Sequence, residues 1–179
     1  RSKMLRLFTR TPAARALPGV ATRFFGGSRV LRDEAAAGAI PSHMEFSLLT
    51  PHEPIMNSEP VHMAIIPGSD GIFGVLAGHV PTVTRLRPGT LSIYSDETNA
   101  THWFVSSGFA VVHPDSRVDI QAIEAVKVDD LDQSIVSAKL TSFNRDLETA
   151  QSEEDKAAAS IGVECFTAMQ ASIEQYASK

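Results

Sequence analysis

The chain has one cysteine, Cys165, and one tryptophan, Trp103, in 179 residues. A single thiol excludes an intramolecular disulfide framework and a multi-cysteine zinc site. The six histidines, His43, His52, His62, His79, His102 and His113, form no HxH or HxxxH pair, so their spacing offers no metal site. No apolar run reaches the roughly 18–20 residues that a membrane-crossing helix needs. Nucleotide and acyl chemistry lack their motifs too. Gly68-X-X-Gly71-X-X-Gly74 has no following Lys-Ser/Thr and no helix pattern after it, so it is not a phosphate cradle. Ser106-Ser-Gly-Phe109 lacks the Gly-X-Ser-X-Gly elbow and reads as a hairpin turn between two strands. Asp70, Glu97 and Asp115 read as turn acids, and no carboxylate pair stands out. These absences favour docking over catalysis, with no cofactor and no metal expected.

Charge is unevenly spread. Residues 1–32 hold eight bases and no acid, and the remaining residues hold eight bases against 21 acids, a balance of −13. An arginine-rich, acid-free leader with scattered Leu and Phe has the pattern of a mitochondrial transit peptide. The competing reading is a basic nucleic-acid-binding tail, but lysine is nearly absent from the segment. The expected organisation is a transit peptide and flexible lead-in over residues 1–40, with cleavage between Phe24 and Ile40. The rest would be strongly acidic and would repel phosphate backbones, so no nucleic-acid partner is expected.

From residue 44 to 128 the chain is a string of short β signals divided by turn residues. Candidate strands are Glu45–Leu49, Ile55–Asn57, Val61–Ile66, Phe73–Leu76, Thr82–Leu86, Thr90–Tyr94, His102–Ser106, Phe109–His113, Arg117–Gln121 and Glu124–Val126. Prolines sit at or beside the boundaries, where the missing N–H does least harm. Gly78, Pro81, Pro88, Gly89 and Gly108 mark structural turns, and His79 is expected to fix its loop through a ring bond to a neighbouring carbonyl. About ten strands of ~4–6 residues imply an antiparallel β-sandwich or flattened barrel.

At residue 129 the texture changes. Asp129 and Asp130 suit a helix N-terminus. Val136, Leu140, Phe143, Leu147 and Ala150 form one helical stripe. Ser152 with Asp155 resembles a capping box. Ala158, Ile161, Cys165, Met169 and Ile173 form a second stripe. Residues 129–179 are therefore expected to be an antiparallel αα-hairpin, with Gly162 allowing close helix approach and Cys165 serving as a small buried hydrophobe.

Several segments together carry a family resemblance: Phe46-Ser-Leu-Leu-Thr-Pro, Gly71-Ile-Phe-Gly-Val-Leu-Ala-Gly-His-Val-Pro-Thr, Leu86-Arg-Pro-Gly-Thr-Leu, Phe104-Val-Ser-Ser-Gly-Phe-Ala, Val118-Asp-Ile, Glu124-Ala-Val and Asp130-Leu-Asp. From Phe46 onward the chain resembles the ε subunit family of bacterial and chloroplast F-type ATP synthases, whose mitochondrial members are called δ. The resemblance implies a ten-stranded sandwich followed by a two-helix hairpin. It also implies a non-catalytic rotor subunit that links the γ shaft to the membrane c-ring and, in mitochondria, holds a small ε subunit on the matrix side of the inner membrane.

By the same resemblance, Ser69, Asp70, Gly71, Ile72, Phe73, Gly74 and Val75 form a c-ring-facing loop, with Ile72, Phe73 and Val75 as anchors. Thr50, Pro51, His52, Glu53 and His79 face γ. Valine at Gly71 or Gly74 is expected to disrupt that loop. Many bacterial members bind ATP through an Asp-X-X-Arg-Ala pattern. Here the stretch reads Asp132-Gln-Ser-Ile-Val, and the missing guanidinium removes the phosphate partner, so no nucleotide is expected. The alternative is a ligand-sensing regulatory module using the cleft between sandwich and hairpin.

Overall fold

The computed structural model describes residues 41–176. The transit peptide expected over residues 1–40 lies outside the described residues. Ten strands come first: β1 (Met44–Leu49), β2 (Pro54–Val61), β3 (Met63–Gly68), β4 (Gly71–Leu76), β5 (Thr82–Leu86), β6 (Gly89–Tyr94), β7 (Ala100–Val105), β8 (Gly108–Val112), β9 (Arg117–Ala122) and β10 (Ala125–Lys127). A 3-10 turn (Val128–Asp130) leads to helices α1 (Gln133–Thr149) and α2 (Glu153–Tyr176). Every strand expected from the sequence has its counterpart, because Gly and Pro punctuate most of them and the residues between alternate.

The pairing order is β10-β7-β6-β3-β5-β8-β9-β1-β2, with β4 on the other edge of β3. Two expectations need correcting. The sheet is not wholly antiparallel: β1 runs parallel to β9, Glu45 opposite Arg117 through Leu49 opposite Gln121. A parallel pair needs a long connection, and seven strands lie between these two. Nor do Ser106 and Ser107 turn a hairpin. β7 pairs with β6 and β10, while β8 pairs with β5 and β9. The Ser106 N–H donates to the Glu124 carbonyl at 3.1 Å, and the Ile123 N–H to that of Ser107 at 2.9 Å. Residues 100–112 and 117–127 are therefore two bent antiparallel strands, each running through both layers. Gly108 makes the bend possible. Its φ is +146°, and a Cβ there would overlap the Gln121 carbonyl oxygen, so no side chain fits.

Inward-facing residues of both layers meet in one cluster that includes Met44, Phe46, Leu48, Ile66, Val75, Leu91, Ile93 and Ile120, with Trp103 packed against it. Full burial of such a side chain contributes about 1.5–3 kcal/mol. The edge strand β2 is guarded by Pro54 and Pro60 and by Ser58 at φ 52°, devices that keep an edge from pairing.

The hairpin lies on β6 and β7, on the face opposite the sandwich core. Thr90 donates to Ser172 Oγ at 2.7 Å, and Ser172 donates to the Ala168 carbonyl at 2.8 Å. The rings of His102 and Tyr176 stack at 4.0 Å. Phe104, which shares the face of His102 by strand alternation, is buried. The capping acids are not Asp129 and Asp130, which form the 3-10 turn. Asp132 takes the N-cap, accepting from Ser134 N at 2.7 Å and Ile135 N at 3.2 Å. Ser152 caps α2: its hydroxyl accepts from the Asp155 N–H at 3.0 Å and donates to the Asp155 carboxylate at 2.7 Å.

The stripe on α1 faces inward as expected. That on α2 is right only in its second half: Cys165 is half-buried and Met169 and Ile173 face inward, but Ala158 and Ile161 are exposed and the inner line enters through Ala159, Gly162 and Phe166. Gly162 sets the phase. The Phe143 ring occupies the place a Cβ would take there and stacks on Phe166 at 5.4 Å.

Candidate functional site

The expected c-ring loop is mostly strand. β3 and β4 pair from Met63–Leu76 to Gly68–Gly71, leaving Ser69 and Asp70 as a two-residue turn. Gly71 has φ +142° and Gly74 has an ordinary φ with open space around its Cα. A side chain at Gly71 would therefore strain the backbone, whereas one at Gly74 meets neither such a φ nor a neighbouring atom. Strand alternation also divides the expected anchors. Ile72 is 64% exposed, Phe73 is half-buried, and Val75 is fully buried in the core cluster. Val75 is thus a core residue and not an anchor. Leu76 shares the outward face with Ile72 and is 48% exposed.

The five residues expected to face γ fall in two places. Thr50 to Glu53 form a tight turn: the Thr50 hydroxyl donates to the Glu53 carbonyl at 2.8 Å, and the Thr50 N–H donates to it at 3.0 Å. Parallel pairing with β9 puts this turn at the Gln121 end of that strand, where exposed His52 lies 3.9 Å from Glu124. His79 sits at the opposite end of β9. The Gly78 N–H donates to Ser116 Oγ at 2.9 Å, and Ser116 directly precedes that strand. The five β9 residues between them span roughly 16 Å. His79 Nδ1 lies 2.8 Å from the Val80 carbonyl, the loop-fixing bond expected of it, and its ring is 6.3 Å from Phe73.

One feature had no place in the sequence reading. The outer face of the second layer carries an apolar groove of about 530 Å³ lined by Leu49, Pro51, Arg85, Phe109, Gln121 and Ile123, among others. Arg85 stands opposite Phe109, and Phe109 opposite Gln121, in one row across β5, β8 and β9. Phe109 is 55% and Ile123 57% exposed. The available signal was an aromatic at an outward strand position, but in a short apolar run such a residue looks like core.

The chemistry elsewhere is quiet. Among the described residues no group of three or more His, Cys, Asp or Glu could hold a metal. Burial, assisted by Glu164, pushes the Cys165 thiol above its ordinary value, so the reactive thiolate is disfavoured. The Asp132 carboxylate is held below its usual value first by the Ser134 hydroxyl and then by the Ile135 and Ser134 N–H groups. It is committed to the helix start.

A firm sandwich, with a helical hairpin strapped across one layer and bare apolar surface on the other, defines an adaptor body: a protein that presents surfaces to partners. The family described as the ATP synthase Delta/Epsilon chain, beta-sandwich domain, matches residues 43–128. A mitochondrial ATP synthase subunit delta' from Ipomoea batatas is 37% identical over 139 residues, covering 78% of this chain and 69% of that protein. The mitochondrial ATP synthase F(1) complex subunit delta of Dictyostelium discoideum is 38% identical, covering 74% and 78%. A chain in the cryo-EM structure of the Euglena gracilis mitochondrial ATP synthase, OSCP/F1/c-ring, superposes with a TM-score of 0.73 at 29% identity, covering 92% of this chain and 99% of its own length. The chain belongs to the ATP synthase delta/epsilon chain family.

Proposed function

We propose that the chain is a non-catalytic central-stalk subunit of the mitochondrial F-type ATP synthase, linking the γ subunit to the membrane c-ring so that proton-driven rotation reaches the catalytic head. The observation that carries this reading is the superposition on the Euglena chain, which covers nearly the whole of both proteins. The physics agrees: a close-packed interior resists deformation, as a part passing rotation between two neighbours must.

In this reading the Ser69–Asp70 turn and the outward side chain of Ile72 meet the c-ring, while Thr50–Glu53 and His79 face γ at two separate points. The small mitochondrial ε subunit is a third partner. No helix among the described residues is long and apolar enough to cross a membrane, which accords with peripheral attachment through the c-ring on the matrix side. Nucleotide has no role: Asp132 is spent on the helix cap, no arginine stands three residues after it, and direct contacts of Ser172 and Tyr176 occupy the seam between sandwich and hairpin.

The test is recovery of the complex. The full chain, tagged at its C-terminus, is purified from mitochondria in mild detergent and its companions are identified by mass spectrometry. Recovery with γ, c and the α and β subunits is the expected outcome. Recovery alone, or micromolar ATP binding by calorimetry, would turn the reading towards a ligand-sensing module.

A further inference from the structure

Among the described residues, β2, β4 and β10 each pair on one side only. β2 carries Pro54, Pro60 and the positive φ of Ser58, and β10 is three residues long. Both devices keep an edge from pairing. β4 has neither. Its sequence, Gly-Ile-Phe-Gly-Val-Leu, holds no proline and no charge, and it runs in unbroken register with β3. Pro67, opposite Ile72, has no N–H, and its carbonyl accepts from the Arg87 N–H at 3.0 Å on the far side of β3. The Pro67–Ile72 pair therefore exchanges no hydrogen bonds. By alternation, the backbone N–H and C=O groups of Ile72, Gly74 and Leu76 point to the open edge. The Leu76 carbonyl accepts there from the His79 N–H at 3.1 Å and keeps a second lone pair. The same positions face outward. Ile72 is 64% and Leu76 48% exposed, and a Cβ at Gly74 would meet open space.

We infer that two copies of the unassembled chain pair edge to edge along β4, antiparallel, with Gly74 opposite the partner's Gly74. The spacing of the strand selects a second copy as the occupant. Ile72 and Leu76 stand at equal distances on either side of Gly74. A two-fold axis through Gly74 therefore sets Ile72 opposite the partner's Leu76, and Leu76 opposite the partner's Ile72. Such cross-strand apolar pairs are the unit of sheet stabilisation, and glycine at the centre lets the two backbones close. Charge agrees. The register puts Asp70 opposite the partner's Gly78, so no like charges face each other. Beyond residue 32 the chain has eight bases against 21 acids, and the uncharged strand is where two such bodies meet at least electrostatic cost. The basic leader finds no acid on β4 to bind. Association stops at two, because the pair consumes the open edge while β2 and β10 stay protected. One strand pair is small against the roughly 1,600 Å² of a standard interface, so the dimer is weak, with a Kd on the order of 10–100 µM. In the central-stalk reading the outward Ile72 meets the c-ring, so self-pairing and assembly exclude each other. That exclusion rests on the stalk reading, and the self-pairing does not.

The test uses the full chain. Sedimentation equilibrium from about 5 µM to about 500 µM is expected to show monomer passing to dimer. Added salt is expected not to weaken the dimer, since no ion pair holds it. Ile72→Lys, a charge of the kind that guards natural edges, lowers the association about tenfold. Disulfide trapping reads the register, in chains that also carry Cys165→Ser to remove the native thiol. Gly74→Cys forms an interchain disulfide, because directly opposed Cα atoms lie within its reach. Ile72→Cys alone does not, and Ile72→Cys mixed with Leu76→Cys does. All these positions are exposed, and circular dichroism confirms that the variants fold. The locked Gly74→Cys dimer is expected to stay out of an ATP synthase complex lacking this subunit, and reduction is expected to restore entry. A monomer at every concentration, an association lost in salt, wild-type pairing by Ile72→Lys, or a disulfide from Ile72→Cys alone overturns the inference. Loss in salt would assign the association to the basic leader on an acidic body. Entry of the locked dimer as readily as the reduced chain overturns the exclusion. If the reduced chain is not recovered with γ and the c-ring, the stalk reading fails, and the self-pairing is still decided by sedimentation and trapping.

Discussion

Sixteen buried side chains form one cluster inside the sandwich, whereas the hairpin buries only Val136, Ala159, Ser172 and Ile173 and leaves Ile135 and Ile161 exposed. The two regions are held by different means. The sandwich is an interior: apolar residues from both layers interdigitate, and its order is fixed by volume. The hairpin is a strap, secured by one helix pair seam at Phe143, Gly162 and Phe166 and by the end of α2 against β6 and β7. The difference teaches where independence lies. A region with its own dry core folds by itself, and a half-exposed pair of helices depends on what it leans against.

That comparison breaks most severely at Gly108. A Gly108→Val chain is expected not to form the sandwich, with a loss of about 4–5 kcal/mol or more, because its Cβ would overlap the Gln121 carbonyl oxygen. Loss of the β signal in circular dichroism and of the cooperative unfolding transition checks it. Phe46→Ala, at a fully buried position, is expected to cost about 3–5 kcal/mol and to lower the unfolding midpoint of sandwich and hairpin together.

A sharper cut comes at Gly162. Gly162→Leu displaces Phe143 and is expected to cost about 1–3 kcal/mol by overpacking, confined to the hairpin. Hydrogen exchange should then quicken in α1 and α2 while β1, β8 and β9 stay protected. Equal loss of protection in both regions would mean that they form one cooperative unit. Ser152→Ala removes the cap of α2 and should cost about 1 kcal/mol, read as faster exchange in the first turn of that helix alone.

The smallest effect is proton-linked. Burial holds the His102 pKa below its ordinary 6.5, with Asp129 pulling weakly the other way. The folded chain therefore takes up this proton less readily than the unfolded one. The contribution is present above pH 6.5 and is lost as pH falls through the lowered value. Hairpin stability, followed by helical circular dichroism in urea, should fall more steeply with acidification in wild type than in His102→Gln. Parallel curves would remove His102 from the strap.

How much of this was legible beforehand follows from the range of the forces involved. All ten strands could be read because most are bounded by local turn chemistry, while the β7–β8 and β9–β10 junctions, which are bends and not turns, still interrupt the apolar runs. The capping pair Ser152 and Asp155 is equally local. The parallel register of β1 on β9 was not legible, since it is decided by which strands meet after seven others have been placed. The first half of α2 was misread because Ala158 and Ile161 are apolar, and no residue of α2 alone says that Phe143 will lie over Gly162. The capping acid was misjudged because the intervening 3-10 turn takes up Asp129 and Asp130 and leaves the cap to Asp132. Val75 and Ile72 look alike in sequence and point to opposite sides of the sheet. The groove stayed hidden for a similar reason: Phe109 in a run of Phe-Ala-Val-Val does not announce which way it faces.

The bent strands have a mechanical consequence. In a sandwich whose layers are joined only by loops, a twist applied to one layer is resisted at the seam by side-chain contact, and the layers can creep past one another. Here residues 100–112 and 117–127 belong to both layers, hydrogen-bonded to each other on either side of the bend. Load entering at one layer leaves through the other along covalent chain and its ladder, with no joint in between. The body behaves as a single stiff key, and any compliance between its neighbours must reside in their own contacts with it.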